Sequence, residues 1–125
     1  MISMIKFSDE NIFIERWSNP KVKMFIDNLN REEYGTSVLV LAEVFHKLTK
    51  KSLQNAFEYV RNLMGALKMF AVTQDDLFSA MKNNTNINVN DKIHLATMKR
   101  NEIYTIISLD TDFDKDKTIT REEVH

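Results

Sequence analysis

The chain has 125 residues, 43% of them hydrophobic, which is enough for one domain with one continuous core. It has no cysteine and only two glycines, which excludes disulfides, thiol catalysis, cysteine-ligated metals and glycine-rich phosphate loops, and its formal net charge of −1 argues against a strongly electrostatic nucleic-acid coat. No apolar stretch reaches the roughly 18 residues of a membrane span, and acidic residues follow the N-terminus early, so we expect a cytoplasmic protein that does not enter a membrane.

The first part of the chain alternates between strand and helix patterns. The apolar run Met4–Ser8 predicts a strand, and a helix follows at about residues 12–17. Apolar residues spaced three and four apart within Val22–Leu29 predict a second helix. Tyr34–Ser37 is either a short strand or the start of a helix, and either of its last two residues would cap the helix predicted over 38–51.

The alternation continues through the rest of the chain. Ser52 is predicted to cap a long helix, and Met69–Val72, where that helix ends, is predicted to be a strand. A threonine and an aspartate three residues apart mark the start of a helix over Gln74–Lys82. After a polar loop, Asn90 is predicted to cap a further helix. The β-branched and nearly continuous apolar run Ile103–Leu109 is typical of a strand buried on both faces.

Strands that alternate with helices predict a single α/β domain with a parallel sheet, in which functional residues gather at the carboxyl ends of the strands. Asp9 follows the first predicted strand and Asp110 follows the last clear one. Asp91 opens a helix. All three also have ordinary structural explanations, because acids are common in loops after strands and a helix N-terminus favours negative charge.

Glu43 lies inside a helix, in a turn whose flanking residues are almost wholly apolar. It is four residues before Lys47, so an ordinary helical ion pair is one explanation. A buried, unpaired glutamate is costly, however, and this favours a functional role for Glu43.

Four short blocks, arranged in this order over nearly the whole chain, resemble the PIN-domain nucleases and in particular the small VapC-like toxins. They are DENIFI from Asp9 to Ile14, the pair Thr36 and Ser37 with Glu43 in the helix behind it, DKIHLA from Asp91 to Ala96, and SLDTDF from Ser108 to Phe113.

The resemblance implies one PIN-like domain over residues 1–125, with a three-layer α/β/α fold and a central, mainly parallel sheet of four to five strands. It implies an endoribonuclease that hydrolyses RNA phosphodiester bonds with Mg²⁺ or Mn²⁺, as the toxin of a VapBC-type toxin–antitoxin pair. Its partners would be an RNA substrate, a cognate antitoxin and a second copy in a homodimer. The implied site residues are catalytic Asp9, Glu43, Asp91 and Asp110, metal ligands Asp9, Asp91, Asp110 and Asp112, and supporting Asn11 and Ser37.

Basic side chains on two helices are candidates for contacts with RNA phosphates. They are Lys47, Lys50, Lys99 and Arg100. Such residues more often form a solvated face, so both interpretations stay open. The histidines within these helices, His46 and His94, are interpreted as packing residues rather than general bases.

Two related functions stay open beside the toxin. At Glu10 the PIN family usually has a small residue, and an extra carboxylate next to Asp9 is compatible with a catalytically degenerate PIN-like module that binds protein or RNA. An RNA-processing PIN nuclease without an antitoxin is the other alternative.

The acids from Asp112 to Glu123 have a spacing close to that of a calcium-binding EF-hand loop. Lys117 stands where that loop needs glycine, and the segment before it is a predicted strand instead of a helix. We therefore expect residues 114–125 to form an exposed turn that leads into a short edge strand near Thr118–Thr120.

Overall fold

A computed structural model, which describes residues 4–124, has five parallel strands in one sheet between two layers of helices. The strands are β1 (Lys6–Ser8), β2 (Tyr34–Ser37), β3 (Lys68–Phe70), β4 (Thr105–Ile107) and β5 (Thr120–Glu122). The α-helices are α1 (Glu10–Ile14), α2 (Pro20–Asp27), α3 (Val38–Lys50), α4 (Ala56–Ala66), α5 (Gln74–Lys82) and α6 (Val89–Arg100). The predicted three-layer fold is confirmed. Residues 1–3 and 125 of the predicted domain lie outside the described residues.

The sheet has the strand order β3-β2-β1-β4-β5, and every neighbouring pair is parallel. Phe7 on the central strand β1 is paired with Gly35 of β2 on one side and with Ile106 of β4 on the other. After β1 the chain first builds one half of the sheet and then crosses back to build the other. The crevice at the carboxyl ends of β1 and β4 is therefore the switch point at which open α/β sheets bind ligands.

The structure decides one open alternative and confirms one local prediction in detail. Tyr34–Ser37 is a strand, and Ser37 also caps α3 because its Oγ accepts a hydrogen bond from the Val40 N–H at 3.2 Å. Helix α5 has the predicted bounds. Its capping box is complete, since Thr73 and Asp76 each accept a hydrogen bond from the other's backbone N–H.

The prediction that Ser52 caps a helix is wrong, because Ser52 ends α3 instead. Its φ of 59° is left-handed, and the N–H groups of Ser52 and Leu53 donate to the carbonyls of Thr49 and Leu48. These two bonds form a Schellman motif, which satisfies the last carbonyls of a helix. Helix α4 begins only at Ala56, without a side-chain cap.

Other boundaries also differ from the prediction, among them those of α6, β4 and β5. Asn88 caps α6 in place of Asn90, through a hydrogen bond that its Oδ1 accepts from the Asp91 N–H at 2.9 Å. Strand β4 is shorter than predicted because the Ile103 N–H donates to the Met98 carbonyl in the Schellman motif that ends α6. The edge strand β5 begins at Thr120, at the end of the segment predicted for it.

The core lies on both faces of the sheet around fully buried aromatic residues. Phe7, Phe13 and Phe113 are each no more than 1% exposed. Phe113 belongs to the 3-10 helix Thr111–Lys115 after β4, so its burial fixes that turn against the carboxyl ends of the strands. Within residues 4–124, no helix has the length and apolar character needed to cross a membrane.

Candidate active site

Asp9 is the centre of the site and lies directly after β1. Its backbone N–H donates to the Ile107 carbonyl of β4 at 3.0 Å, so β4 fixes its position. The carboxylate is 2% exposed and caps α1, with Oδ1 accepting from the Glu10 N–H at 2.8 Å. Its Oδ2 accepts from the Ser108 hydroxyl at 2.8 Å and from the Asn11 side-chain amide at 3.1 Å. Asp9 is thus held by neutral donors.

Asp91 approaches from the first turn of α6 and is 6% exposed. Asn88 holds it with two hydrogen bonds, one from the Asn88 side-chain amide to Asp91 Oδ2 at 2.9 Å and one from the Asp91 N–H to Asn88 Oδ1. This pairing explains locally why Asn88, rather than Asn90, begins the helix. It also orients the Asp91 carboxylate without neutralising its charge.

Glu43 reaches the same crevice from α3 and is joined to α6 by two contacts. His94 Nε2 lies 2.8 Å from Glu43 Oε1, and the Asn90 side-chain amide donates to Glu43 Oε2 at 3.2 Å. The imidazole of His94 is fully buried, and the same Nε2 atom lies 4.0 Å from Asp9 Oδ1. His94 therefore lies between two acids of the site.

The pKa values of the acids show how poorly their charges are compensated. The pKa of Asp91 is raised to about 7, chiefly by burial, then by repulsion from Asp9 and to a smaller extent by repulsion from Asp110 and Glu43. Burial also raises the pKa of Asp9, more than the positive charge on His94 and the Ser108 hydrogen bond lower it. The site thus lacks enough positive charge of its own.

The other two members of the cluster stabilise each other. Burial alone would raise the pKa of Glu43, but the hydrogen bond and charge of His94 hold it below its ordinary value. Burial alone would lower the pKa of His94, but the Glu43 hydrogen bond and the charges of Asp9 and Asp91 raise it. Glu43 is thus partly compensated, whereas Asp9 and Asp91 are not.

The donor set fits a divalent cation. One ligand atom each from Asp9, Asp91 and His94 can be chosen so that all lie within 4.8 Å of one another. Two buried carboxylates with raised pKa values form a site in which a bound cation removes the repulsion. Hard cations such as Mg²⁺ and Mn²⁺ prefer these oxygen donors.

Asp110 and Asp112 lie at the crevice on the turn after β4. Asp110 Oδ1 accepts from the Asp112 N–H at 2.9 Å, and the Asp110 N–H donates to the Ser108 hydroxyl oxygen at 3.0 Å. Repulsion from Asp110 contributes to the raised pKa of Asp91, so Asp110 adds to the negative charge of the site. The side chain of Asp112 is 45% exposed and pairs with Lys115 at 3.1 Å.

The two predicted supporting residues have different positions. The Asn11 amide donates to Asp9 Oδ2 and to the Ser108 hydroxyl, while Asn11 Oδ1 accepts from the Leu109 N–H at 3.1 Å. Asn11 thus ties the turn after β1 to the turn after β4. The hydroxyl of Ser37 is used to cap α3, so it positions the helix that carries Glu43.

Glu10 is next to Asp9, and its charge is met by Lys47 of α3. The Lys47 ammonium lies 2.8 Å from Glu10 Oε1, so Lys47 does not form the helical pair with Glu43 that the sequence suggests. Burial raises the pKa of Glu10 despite this contact. Glu10 Oε2 is buried and, within the described residues, has no hydrogen-bond partner.

The other basic candidates lie away from the acids. Lys50 is exposed at the end of α3. Lys99 and Arg100 are at the opposite end of α6 from Asp91, where Lys99 pairs with Asp116 at 2.6 Å and Arg100 pairs with Asp76 at 2.8 Å. Their predicted contacts with RNA stay predictions.

The acidic run after β4 does not form a calcium-type loop. Asp114 pairs with Arg121 at 3.0 Å and Asp116 with Lys99, and the segment before the run is strand β4. These acids are neutralised by basic side chains of the protein. A calcium loop instead needs free carboxylates between two helices.

Two residues of the cluster were not singled out for it from the sequence. Ser108 binds Asp9, Asn11 and the Asp110 N–H, and its sequence signal is its place at the start of the family-like block SLDTDF, where no role is assigned to it. His94 was interpreted as a packing residue, and its ring does lie 6.1 Å from the Phe7 ring. Its spacing of three from Asp91 on one helix face was the available signal for a role in the site.

Open α/β sheets bind their ligands at the switch point, and the uncompensated carboxylates found there in this protein suit a divalent cation. The sequence matches the family model described as PIN domain over residues 6–117, and the chain belongs to the PIN-domain family. A comparison with curated proteins finds no matching sequence.

Solved structures with the same fold include toxin–antitoxin proteins. A toxin–antitoxin complex from Klebsiella pneumoniae matches with a TM-score of 0.72 and 18% identity, over 92% of this chain and 95% of that one. The Mycobacterium tuberculosis toxin VapC20, described as cleaving the sarcin–ricin loop, matches with a TM-score of 0.69 and 19% identity, over 86% of this chain and 92% of that one. DNA-bound VapBC from Salmonella typhimurium matches with a TM-score of 0.74 and 14% identity, over 98% of this chain and 100% of that one.

Proposed function

We propose that this protein is a metal-dependent endoribonuclease that hydrolyses RNA phosphodiester bonds, and that it is the toxin of a VapBC-type toxin–antitoxin pair. The observation that carries the proposal is the buried pair Asp9 and Asp91, whose raised pKa values reflect negative charge without a compensating cation. Asp76, a structural acid that is buried to the same extent as Asp9, is neutralised by Arg100, so the missing compensation at Asp9 and Asp91 is a property of their site and not of buried acids in general.

Asp9, Asp91 and Asp110 would hold the cation, with Asp112 as a further candidate ligand. When bound, Mg²⁺ or Mn²⁺ supplies an activated water and neutralises the charge that develops on the phosphate oxygens. Ser108 and Asn11 keep the Asp9 carboxylate oriented, so the ligand geometry exists before the cation arrives. Glu43, at the border of the pocket, can accept a proton or orient a water molecule.

The toxin assignment is supported by structural neighbours that match this chain over nearly their whole length. One of them is described as a toxin that cleaves the sarcin–ricin loop, and two are toxin–antitoxin or VapBC complexes. On this basis the proposal includes an RNA substrate and an antitoxin that blocks the protein. The resemblance of the sequence blocks to VapC-like toxins adds a homodimer and action in the cytoplasm to the proposal. Lys47, Lys50, Lys99 and Arg100 are the proposed weak contacts with RNA.

The test is cleavage of RNA by the purified protein with Mg²⁺, with Mn²⁺ and with EDTA, together with growth inhibition on expression. We expect cleavage only with a metal, and we expect Asp9→Asn and Asp110→Asn to lower it by at least about a hundredfold while the fold is retained. Asp114→Asn is a matched control because Asp114 pairs with Arg121 outside the cluster.

The alternatives predict different results. A degenerate PIN-like module would bind neither metal at the cluster and would cleave nothing. An RNA-processing nuclease would cleave RNA without growth inhibition, and no protein encoded beside it would suppress the activity. Full activity of both the Asp9 and the Asp110 variants would contradict the proposed site.

A further inference from the structure

Glu43 differs from the other acids of the cluster because both of its carboxylate oxygens are held by side chains of one helix. His94 Nε2 is 2.8 Å from Oε1, and the Asn90 amide donates to Oε2 at 3.2 Å. By contrast, the side-chain contact of Asp91 within the described residues is to Oδ2 alone. Both oxygens of Asp9 also accept hydrogen bonds, but from the Glu10 N–H, the Ser108 hydroxyl and the Asn11 amide, none of which belongs to α6. Glu43 is thus held against α6 by both oxygens, whereas Asp91 keeps an oxygen available.

The surroundings of His94 indicate which of its nitrogens carries hydrogen. Its Nδ1 is buried and has no hydrogen-bond partner in the part of the chain that the structure describes. A histidine that binds a metal through Nε2 carries hydrogen on Nδ1 and almost always donates it to a carboxylate, a carbonyl or water. That arrangement would leave a buried N–H without a partner, so the structure favours hydrogen on Nε2, donated to Glu43.

We propose that His94 is a positioning residue whose Nε2–H holds Glu43 outside the set of direct metal ligands, so that the cation binds to Asp9 and Asp91 and not to Glu43 or His94. This rests on the proposed function of the cluster as a metal site. The contact does not depend on the charge of His94, because Nε2 carries hydrogen both in this neutral tautomer and in the imidazolium ion.

The arrangement has a functional reason. A glutamate on the metal would add a fourth charge to the proposed ligands Asp9, Asp91 and Asp110 and would lose its ability to accept a proton or orient a water molecule. Held by His94 and Asn90, Glu43 instead stays beside the bound cation as a carboxylate that is not a ligand and that can orient a water molecule. The fully buried imidazole, packed against Phe7, makes this a fixed position and not one conformation among several.

The first test is calorimetric titration of the purified protein with Mn²⁺. We expect Glu43→Gln to change the Mn²⁺ dissociation constant by less than about threefold, while Asp91→Asn weakens binding by at least about tenfold. An effect of Glu43→Gln as large as that of Asp91→Asn would overturn the inference, because Glu43 would then be a direct ligand. This comparison does not require a His94 variant that folds.

The second test changes His94 itself. Leucine removes the donor, so in His94→Leu the freed Glu43 is expected to join the cation and tighten Mn²⁺ binding by about tenfold, and adding Glu43→Gln should abolish the gain. Glutamine keeps a donor near the Nε2 position, so His94→Gln should retain the wild-type affinity. Weaker Mn²⁺ binding in both His94 variants would identify His94 as a ligand and overturn the inference.

The two proposals fail in distinguishable ways. A wild-type protein that binds no Mn²⁺ would reject the proposed metal-dependent function, and this inference with it. If the wild type cleaves RNA with Mn²⁺ but Glu43→Gln binds Mn²⁺ at least about tenfold more weakly, the proposed function stands and only the role of His94 is rejected.

Discussion

Two acids that lie beside opposite ends of helix α6, Asp9 after β1 and Asp76 in α5, are equally buried and behave in opposite ways. Asp9, beside the N-terminal end, and Asp76, beside the C-terminal end, are each 2% exposed. Asp76 accepts hydrogen bonds from Arg100 Nε at 2.8 Å and from the Thr97 hydroxyl at 2.9 Å. Asp9 is held by a serine, an amide and a backbone N–H.

The difference appears in the pKa values. Burial alone would raise the pKa of Asp76, but the hydrogen bonds and the charge of Arg100 hold it below the ordinary value. Asp9, without a guanidinium, has a raised pKa. Burial therefore does not distinguish a functional acid from a structural one in this protein. The distinguishing property is whether the protein supplies the cation itself or leaves its place to a ligand.

The largest expected effect is on RNA cleavage, and it distinguishes the acids beside the two ends of α6. Asp91→Asn is expected to lower metal-dependent RNA cleavage by at least about a hundredfold, because it removes a charge that the cation needs. Asp76→Asn, assayed well below its melting temperature, should change cleavage by less than about threefold. Cleavage rates at saturating Mn²⁺ measure both. Equal losses in the two variants would show that the comparison is not one of function against structure.

The second prediction separates the two ends by stability, measured by urea unfolding of the metal-free protein. Arg100→Met leaves Asp76 buried without its partner and is expected to lower the free energy of unfolding by about 1–3 kcal/mol, the range being modest because the guanidinium is 38% exposed. Asp91→Asn should raise it, since it relieves repulsion. A destabilised Asp91→Asn protein would contradict the idea of an uncompensated site.

The third prediction concerns pH. The folded pKa of Asp91, about 7, is above its ordinary value of 3.8, so the stability from its protonated form is present at low pH and is lost as the pH rises toward 7. The lowered pKa of Asp76 has the opposite effect on stability. The stabilisation from its ionised form is present above its ordinary pKa of 3.8 and is lost as the pH falls below that value.

The free energy of unfolding of the metal-free protein should therefore decline as the pH rises from about 4 to 7. Asp91→Asn should reduce this decline, and saturating Mn²⁺ should remove it. Asp76→Asn should leave this decline unchanged and flatten only the acid limb. An identical pH profile for the wild type and Asp91→Asn would show that the carboxyl group titrates normally.

The smallest expected effect concerns Lys47, the basic side chain that pairs with Glu10 beside Asp9. Lys47→Met removes a positive charge and leaves the negative charge of Glu10 uncompensated beside the pocket. Mn²⁺ binding should therefore tighten by about two- to fivefold. Lys50→Met is the matched control on the same helix and should have no effect. Weaker Mn²⁺ binding in Lys47→Met would mean that Glu10 does not face the cation.

Much of the fold could be predicted because its signals are local. The box formed by Thr73 and Asp76 fixed the start of α5, and the apolar run before Asp9 indicated β1. The boundaries that were wrong depend on backbone conformation. Ser52 is a residue type that caps helices, yet its φ of 59° ends one, and the residue type alone does not determine that backbone conformation.

The sequence by itself determined the order of the elements, the family-like blocks and the acids at the ends of strands. Only the tertiary structure decided which of these acids are left without a cation. Asp9 meets Ser108 across 99 residues, Glu43 meets His94 across 51, and Asp76 meets Arg100 across 24. Because the charge on a buried acid is governed by the groups within a few ångströms of it, no local pattern could distinguish Asp91 from Asp76 before the chain had folded.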